Sequence, residues 1–230
     1  MTNLSQITLK LELAACSPSS TRMFFKTGVG EYAEHDQFIG VKTAVLRSIA
    51  KEFHALSIPD IQILIESPIN EKRMLALFIL VNQYQKGSLD KEVCYQFYIK
   101  NLAHINNWNL VDASAHWIVG AHLMYDDKEL LLKLANSDTM WERRVAIVST
   151  WYFIRHDSLE WTVKLAELLR HDRHDLIHKA VGWMLREAGK RDQKILIGFL
   201  DQYANTMPRT MLRYSIEKLS AEQRKIYMQK

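Results

Sequence analysis

Apolar residues recur at helical spacing in similar segments along the whole chain, and this recurrence constrains the fold more than any other feature. In each segment a polar residue is followed by alanine and a dense apolar run, and the segments occupy 73–84, 114–125, 143–154 and 178–189. Arg73, Asp112, Arg143 and His178 hold comparable positions, separated by steps of 39, 31 and 35 residues. Helix pairs that repeat at about this period are typical of an α-solenoid.

The pattern therefore predicts an all-α fold, a HEAT-like α-solenoid of antiparallel helix pairs that forms a single domain over residues 1–230. Shorter helical stretches, such as 127–137 and 158–171, precede the dense segments and supply the partner helices. An irregular helical bundle is the alternative. With only 8 Gly and 4 Pro, the chain has little turn material for a β-sandwich or barrel.

Composition narrows the class of protein. The chain is 48% hydrophobic and 24% charged, as is usual for a soluble globular protein. Its first twenty residues lack the basic region of a signal peptide, and no apolar run approaches the ~20 residues that span a bilayer. Cys16 and Cys94 are far apart without a CxxC motif, so we expect no disulfide and a cytoplasmic location.

Positive charge is concentrated towards the end of the chain. Residues 170–230 contain 13 Lys/Arg and 7 Asp/Glu, a net charge of +6, although the whole chain carries only +4. A basic region of this kind suits a polyanion such as DNA. From charge alone, a solvated basic surface without a partner is the favoured interpretation.

One stretch departs from the helical pattern. Residues 24–51 hold three of the eight glycines, Gly28, Gly30 and Gly40, and predict a loop before a helix that begins near Val41. The glycine spacing matches neither GxGxxG nor GxxxxGK[ST], so a specific connector is favoured over a phosphate-binding loop.

Trp108 and Asp112 are four residues apart, so they share one face of a helix. Trp183 lies on a later helix, and two indoles with a carboxylate between them would suit a cationic ligand or transition state. Core tryptophans beside a surface Asp are the simpler interpretation of the spacing. Trp117, Trp151 and Phe153 are expected in the core.

Three histidines form an H-x2-H-x3-H motif, which could bind a metal if the rings faced one way. Asp and Arg are interleaved among His171, His174 and His178, and no matching ligand cluster occurs elsewhere. The motif is better interpreted as a polar helix entrance, so no metal and no cofactor are predicted.

Several stretches together resemble the AlkD-like family of DNA alkylation repair glycosylases. The similar stretches keep their order and are FFKTGVGEYAEHDQFIGVK (24–42), NNWNLVDASAHWIVG (106–120), WERRVAIVSTWYFIR (141–155), HDLIHKAVGWMLREAGKRD (174–192) and MPRTMLRYSIEKL (207–219). The resemblance implies a solenoid whose concave face holds duplex DNA. It also implies excision of cationic purines such as 7-methylguanine and 3-methyladenine, without the deep pocket that usually receives a flipped base.

By the same resemblance, Trp108, Asp112 and Trp183 look like the two aromatic walls and the catalytic carboxylate, with Arg144 as the accompanying cation. Candidates for DNA contacts are Tyr32, Arg143, Lys179, Arg209 and Arg213. The adjacent Arg143 leaves open which arginine faces the DNA.

The family motif often reads WDxVD, whereas this chain has Asn109 after Trp108. The key carboxylate remains, but the role of the missing acid in DNA contacts or helix anchoring is left open. The predicted function is a metal-independent DNA-alkylpurine glycosylase, a monomer acting on alkylated duplex DNA. A non-catalytic helical scaffold that binds DNA or a protein is the rival, and it does not require the Trp108, Asp112 and Trp183 set.

Overall fold

A computed structural model describes residues 2–229 of the protein. The chain divides into two compact units, Met1–Ser114 and Ala115–Lys230, and the prediction of a single domain remains a prediction. Residues 2–229 contain no β-strand, only an isolated bridge between Gln37 and Ile69. The all-α prediction is therefore confirmed, and the architecture is consistent with an α-solenoid.

The first unit contains seven α-helices among the described residues. Their bounds are α1 (Asn3–Ala14), α2 (Ser19–Arg22), α3 (Thr43–Glu52), α4 (Ile58–Ile65), α5 (Asn70–Lys86), α6 (Lys91–Lys100) and α7 (Trp108–Ala115), and α7 ends on the first residue of the second unit. Helix α5 packs against α3, α4 and α6. It is buried on nearly all sides, which makes it the central helix of this unit.

The second unit begins with a π-helical turn, His116–Gly120, which α8 (Ala121–Leu123) continues. The helices that follow are α9 (Glu129–Ala135), α10 (Met140–Arg155), α11 (Glu160–Leu169), α12 (Asp175–Arg191), α13 (Gln193–Tyr203), α14 (Arg209–Ser215) and α15 (Ala221–Gln229). Helix α10 packs against α9, α11, α12 and the π-helical turn, and α12 packs against α13 and α14.

Two arginines show the predicted repetition in atomic detail. Arg73 of α5 and Arg143 of α10 each donate to the carbonyl oxygen six residues earlier, of Ser67 and Ser137, at 2.8 Å in both cases. Each guanidinium also pairs with a carboxylate from another segment, Asp36 for Arg73 and Asp172 for Arg143. The comparable positions that the sequence indicated for these two arginines have equivalent surroundings.

The long loop predicted between residue 24 and the next helix is also present. Helix α3 begins at Thr43, two residues after the predicted start. Gly40 within the loop has φ of 78°, and a Cβ there would lie 2.7 Å from the Ser17 carbonyl oxygen. Glycine is therefore required by both conformation and space.

Within residues 2–229, no helix combines the length and apolar character needed to cross a lipid bilayer. Both cysteines are free thiols, Cys16 exposed and Cys94 buried. Burial, with a smaller contribution from the negative charge of Asp90, raises the pKa of the Cys94 thiol to about 11, so this thiol is protonated at neutral pH.

Close helix packing in the second unit depends on Gly182. A Cβ there would lie 2.5 Å from both the Met211 carbonyl oxygen and the Tyr214 Cβ. Gly182→Ala should lower the free energy of unfolding by about 1–3 kcal/mol, because α12 and α14 would have to separate. Urea unfolding monitored by circular dichroism measures the effect.

Gly198 provides the matched control. It lies on an exposed position of α13, where an added Cβ would meet no atom within 4 Å. Gly198→Ala should stabilise the protein by about 0.5–1 kcal/mol, since alanine favours a helix interior. Equal effects of the two substitutions would contradict the packing role of Gly182.

Candidate functional site

Trp108 and Asp112 line the same cavity in the first unit. Trp108 is the first residue of α7, Asp112 lies one turn later, and both side chains are half-buried. The cavity beside them has a volume of about 600 Å³. The sequence expectation that these two residues share a helix face agrees with this geometry.

The cavity combines aromatic and aliphatic walls with a few polar groups. Residues of the loop before α3, of α3 itself and of α5 complete it, including Phe24, Phe25, Val41, Lys42, Leu46, Arg47, Asn70, Glu71 and Met74. Pockets of this volume and composition are typical of small-molecule sites. The family resemblance did not lead us to expect such a cavity.

A stack of aromatic rings holds the Trp108 indole. Phe25 stacks on Trp108, with 5.2 Å between ring centroids and 24° between planes. The Phe25 ring also stacks on Phe38, at 4.7 Å and 26°. Because Phe38 is buried, the stack connects a half-buried indole to the core and limits its rotation.

Asp36 is the centre of a polar network that includes Asn70 of the cavity wall. Its carboxylate accepts from Arg73, and the side chains of both residues are only 5% exposed. It also accepts from Asn70 at 3.0 Å and from Asn107 at 2.6 Å. Asn107 in turn accepts the backbone N–H of Trp108 at 2.7 Å, so the start of α7 is fixed by this buried network.

The structure gives Asn109 an anchoring role. Its amide nitrogen donates to the Asn70 side-chain oxygen at 2.7 Å. Asn70 directs its own nitrogen towards Asp36, which leaves its oxygen to accept from residue 109. An amide therefore suits this position, because a carboxylate could not donate to that oxygen.

One further carboxylate, Glu71, and one phenol, Tyr98, contribute to the surroundings. Buried Glu71 accepts the backbone N–H groups of Ile39 and Gly40, at 3.1 and 2.9 Å, and so ties the loop to α5. Burial raises the pKa of Tyr98, its hydrogen bond with Ser114 lowers it, and the negative charge of Asp112 raises it again.

Trp183 belongs to the second unit, where it joins a tryptophan–arginine cluster made of Trp117, Trp151, Trp183 and Arg155. The Trp183 ring meets Trp151 edge-on, with centroids 4.8 Å apart and planes at 63°. The Arg155 guanidinium lies 4.1 Å from the Trp151 centroid and 4.6 Å from that of Trp117. Only part of the core prediction holds here, because Phe153 is fully buried whereas Trp117 and Trp151 are half-buried.

Sequence reasoning missed Arg155, although one signal was present. Arg155 follows Trp151 by four residues on α10, which places the cation above the indole one turn earlier. Burial lowers the pKa of the Arg155 guanidinium and Glu187 raises it. Arginine remains charged after a shift of this kind, so the cluster contains a permanent cation.

Both candidate arginines of α10 make intramolecular bonds. Arg144 is 5% exposed and donates to the Leu176 carbonyl oxygen. The Arg143 side chain is 19% exposed, pairs with Asp172 at 2.6 Å and also donates to main-chain oxygens. Neither arginine is a freely exposed cation. The catalytic role of Arg144 and the DNA contact of Arg143 remain predictions.

The other candidates for DNA contacts differ in exposure. Arg209 and Arg213 are exposed, Lys179 pairs with Asp175 at 2.8 Å, and Tyr32 is half-buried. The positions of the two exposed arginines leave them accessible to a polyanion. The DNA-binding roles of all four residues remain predictions.

The three histidines of the H-x2-H-x3-H motif have separate partners. His178 contacts the Asp172 carbonyl oxygen at 2.6 Å, His171 accepts from Arg170 at 2.9 Å, and His174 caps α12 by accepting the Leu176 N–H. No group of three or more potential metal ligands occurs in the part of the chain that the structure describes.

Comparison with known proteins identifies one family. A family model described as "DNA alkylation repair enzyme" matches residues 16–219. A solved structure described as "Predicted DNA alkylation repair enzyme from Enterococcus faecalis" is 18% identical, with a TM-score of 0.67 over 90% of this chain and 98% of that chain. At this identity the structural likeness shows the fold alone. A comparison with curated proteins found no match to the chain.

The Asp36 network should dominate the stability of the first unit. Asp36→Asn would leave the Arg73 guanidinium buried without its counter-charge, so the free energy of unfolding should fall by about 3–5 kcal/mol. Urea unfolding measures this, with exposed Asp138→Asn as the control. Similar stability of the two variants would show that the buried pair is dispensable.

The cation of the tryptophan–arginine cluster should stabilise the second unit. Arg155→Met keeps a long apolar side chain but removes the charge above two indoles, so we expect a loss of about 1–2 kcal/mol and altered near-ultraviolet circular dichroism. Lys164→Met is the matched control, since Lys164 is exposed and lies over one indole, Trp161, at 4.3 Å. A loss no greater than that of the control would contradict the stabilising role of Arg155.

Proposed function

Because the chain belongs to the family of DNA alkylation repair enzymes, we propose that it is a DNA glycosylase that excises cationic alkylated purines from duplex DNA. The family gives the chain a role in alkylation repair. The resemblance to AlkD-like glycosylases motivates the more specific part of the proposal, which is the glycosylase reaction. The proposed substrates are DNA containing 7-methylguanine or 3-methyladenine. We further propose that it acts as a cytoplasmic monomer.

The observation that carries the proposal is the position of Asp112 beside Trp108 at an open cavity. Binding alone does not require a carboxylate next to an indole, and a carboxylate repels DNA phosphates. A reaction that develops positive charge does use such a pair, since both groups stabilise cations.

The chemistry follows from the substrate. Alkylation at N7 or N3 places a positive charge on the purine, so the base leaves as a neutral molecule without a strong general acid. The bond between C1′ and the base breaks, the electron pair goes to the base, and positive charge moves to the sugar. In the proposal, Asp112 stabilises this sugar cation and positions the water that attacks C1′, and the proton that the water loses passes to Asp112 and then to solvent.

Trp108 would contribute its aromatic face to the same charge. The stack with Phe25 and the hydrogen bond from its backbone N–H to Asn107 hold this residue before DNA binds. A group fixed in advance loses little entropy when the transition state forms. The proposal assigns Trp183 a second aromatic contact with the sugar and Arg144 a phosphate contact, both on the resemblance alone.

Binding to DNA would depend mainly on phosphate contacts. Arg209 and Arg213 are exposed cations on α14, and Tyr32, Arg143 and Lys179 complete the proposed set. Such contacts give affinity that is independent of sequence and decreases steeply with salt. The proposal thus separates binding, which uses cations, from catalysis, which uses Asp112.

The rival function is a helical scaffold that binds DNA or a protein without chemistry. The exposed cations are compatible with such a scaffold, but a scaffold does not need the Asp112 carboxylate for binding. Salt dependence separates the two kinds of scaffold, because DNA affinity should decrease steeply with ionic strength and affinity for a protein need not.

Asp112→Asn provides the decisive test of the reaction. Release of 7-methylguanine from methylated duplex DNA should slow by at least about 100-fold, because the variant lacks the charge that stabilises the transition state. DNA affinity, measured by fluorescence anisotropy, should stay within about twofold, since no phosphate contact is lost.

Asp126→Asn is the matched control, because Asp126 is an exposed aspartate outside the cavity. It should release the base at the wild-type rate. No release by folded wild-type protein that binds DNA would sink the glycosylase proposal, and parallel losses of rate and affinity in Asp112→Asn would overturn the role of Asp112.

A further inference from the structure

The Arg155 guanidinium is a cation whose position is fixed by aromatic rings. It lies 4.1 Å from the Trp151 centroid and 4.6 Å from the Trp117 centroid. Arginine stacks on aromatic rings through the faces of its guanidinium, and its N–H groups point outward in the plane of that group. Among residues 2–229, no protein atom forms a hydrogen bond or an ion pair with these N–H groups. Arg155 is half-buried, so a positioned cation keeps its donors available to a ligand.

The neighbouring carboxylate does not neutralise this cation. The charge of Glu187 acts on Arg155, but the two form no ion pair in the described part of the chain. The Glu187 carboxylate accepts instead from Lys190, at 2.8 and 2.9 Å, and from Arg186 at 3.3 Å. Arg191 donates to the Arg155 carbonyl oxygen at 3.1 Å and brings a further positive charge close. The surroundings of the guanidinium therefore suit an anion.

An arginine with unused in-plane N–H groups binds oxyanions well. Two parallel N–H groups donate to two oxygens of one phosphate, and this fork geometry makes arginine common at phosphate sites. The contacts with the indoles can persist in such a complex, because rings occupy the faces of a guanidinium and the phosphate its edge. Arg155 can thus take a phosphate without losing a hydrogen bond that it makes in the free protein.

The place of Arg155 in the fold indicates which phosphate it fits. The Trp183 ring meets Trp151 edge-on, with centroids 4.8 Å apart, so one indole separates Arg155 from Trp183. Trp183 is the residue to which the proposed reaction gives an aromatic contact with the sugar. Every internal deoxyribose of a DNA strand is linked to a phosphate on each side, so an anion accompanies the sugar to this cluster.

We propose that Arg155 binds a backbone phosphate next to the damaged nucleotide and thereby fixes the strand at the tryptophan–arginine cluster. This inference rests on the proposed glycosylase function and deepens it with a binding residue that the family resemblance did not indicate. Arg155 does not touch the reacting atoms, so its part is to bind and position the strand. A phosphate contact gives affinity and register without a preference for sequence.

Arg144 was the arginine expected at a phosphate, and its surroundings differ. It is 5% exposed and donates to the Leu176 carbonyl oxygen, so part of its hydrogen-bonding capacity serves the fold. Arg155, at the other end of α10, is more exposed and is held by aromatic contacts that leave its donors unused. The geometry thus favours Arg155 over Arg144 as a cation that a phosphate can reach.

The test removes one phosphate charge from the DNA at a time. A duplex contains 2′-fluoro-7-methyldeoxyguanosine, which resists excision, and an uncharged methylphosphonate replaces each phosphate near the lesion in turn. Fluorescence anisotropy measures the affinity for each duplex. For wild type, one replacement beside the lesion should weaken binding at least about tenfold. Arg155→Met should bind the duplex with an intact backbone as weakly, and the same replacement should cost it no more than about twofold, because the partner is already absent.

Two further variants show whether the charge of residue 155 is responsible. Arg155→Lys keeps a cation and should retain part of the sensitivity at this phosphate, although lysine lacks the fork geometry. Lys164→Met removes the exposed cation over Trp161 and should behave as wild type. A purely structural role of Arg155 would instead weaken binding to every duplex and leave the sensitivity at that phosphate intact. Far-ultraviolet circular dichroism at the assay temperature checks that each variant is folded.

The outcomes separate this inference from the glycosylase proposal. If the replacement that weakens wild type weakens Arg155→Met equally, or if no replacement beside the lesion affects wild type, the phosphate contact of Arg155 is overturned. Release of 7-methylguanine from methylated DNA by wild type would then leave the glycosylase function standing without it. Sensitivity lost in Arg155→Met, together with no release by wild type, would support the contact and sink the glycosylase.

Discussion

The buried pair of Asp36 and Arg73 is the interaction on which the first unit depends. Asp36 comes from the long loop, Arg73 from the central helix α5, and the same carboxylate also accepts from Asn70 and Asn107. Burial of such a pair is costly unless every polar group is satisfied. The carboxylate has three donors and joins three segments that are distant in sequence, whereas the Nε atom of Arg73 is buried without a hydrogen-bond partner among the described residues.

This network determines how α7 begins. Asn107 holds the first N–H of the helix, and the Asn70–Asn109 pair restrains the next turn. Trp108 and Asp112 therefore project from a helix whose start is fixed by buried hydrogen bonds, and Phe25 supports the indole from one side. A site held in this way is organised before a ligand arrives, which lowers the entropic cost of binding.

Local periodicity was sufficient to predict the helices. The segments at 73–84, 143–154 and 178–189 fall within α5, α10 and α12, because their apolar spacing decides the helical conformation locally. The π-helical turn at His116–Gly120 was not predicted, and its Gly120 lies close to Ser149 and Tyr152 of α10. Tertiary contacts of this kind leave no periodic signal in the sequence.

The candidate site was predictable to a smaller extent. A spacing of four residues was enough to place Trp108 and Asp112 together, but nothing in the sequence linked them to Phe25 or Asp36, which lie more than seventy residues away along the chain. Arg155 shows a different limit. Its spacing from Trp151 was visible, yet the contact with Trp117 depends on packing between helices.

The glycine contacts of the second unit have a consequence for how its helices keep their register. An added Cβ at Gly120 would meet the Ser149 carbonyl oxygen and Tyr152, and one at Gly182 would meet Met211 and Tyr214, at the same two sequence separations. Such approaches bring Cα–H groups up to main-chain carbonyl oxygens, where weak C–H···O contacts form between helices. The register between these helices is then set by close approach of backbone atoms, so it depends less on the shapes of the surrounding side chains.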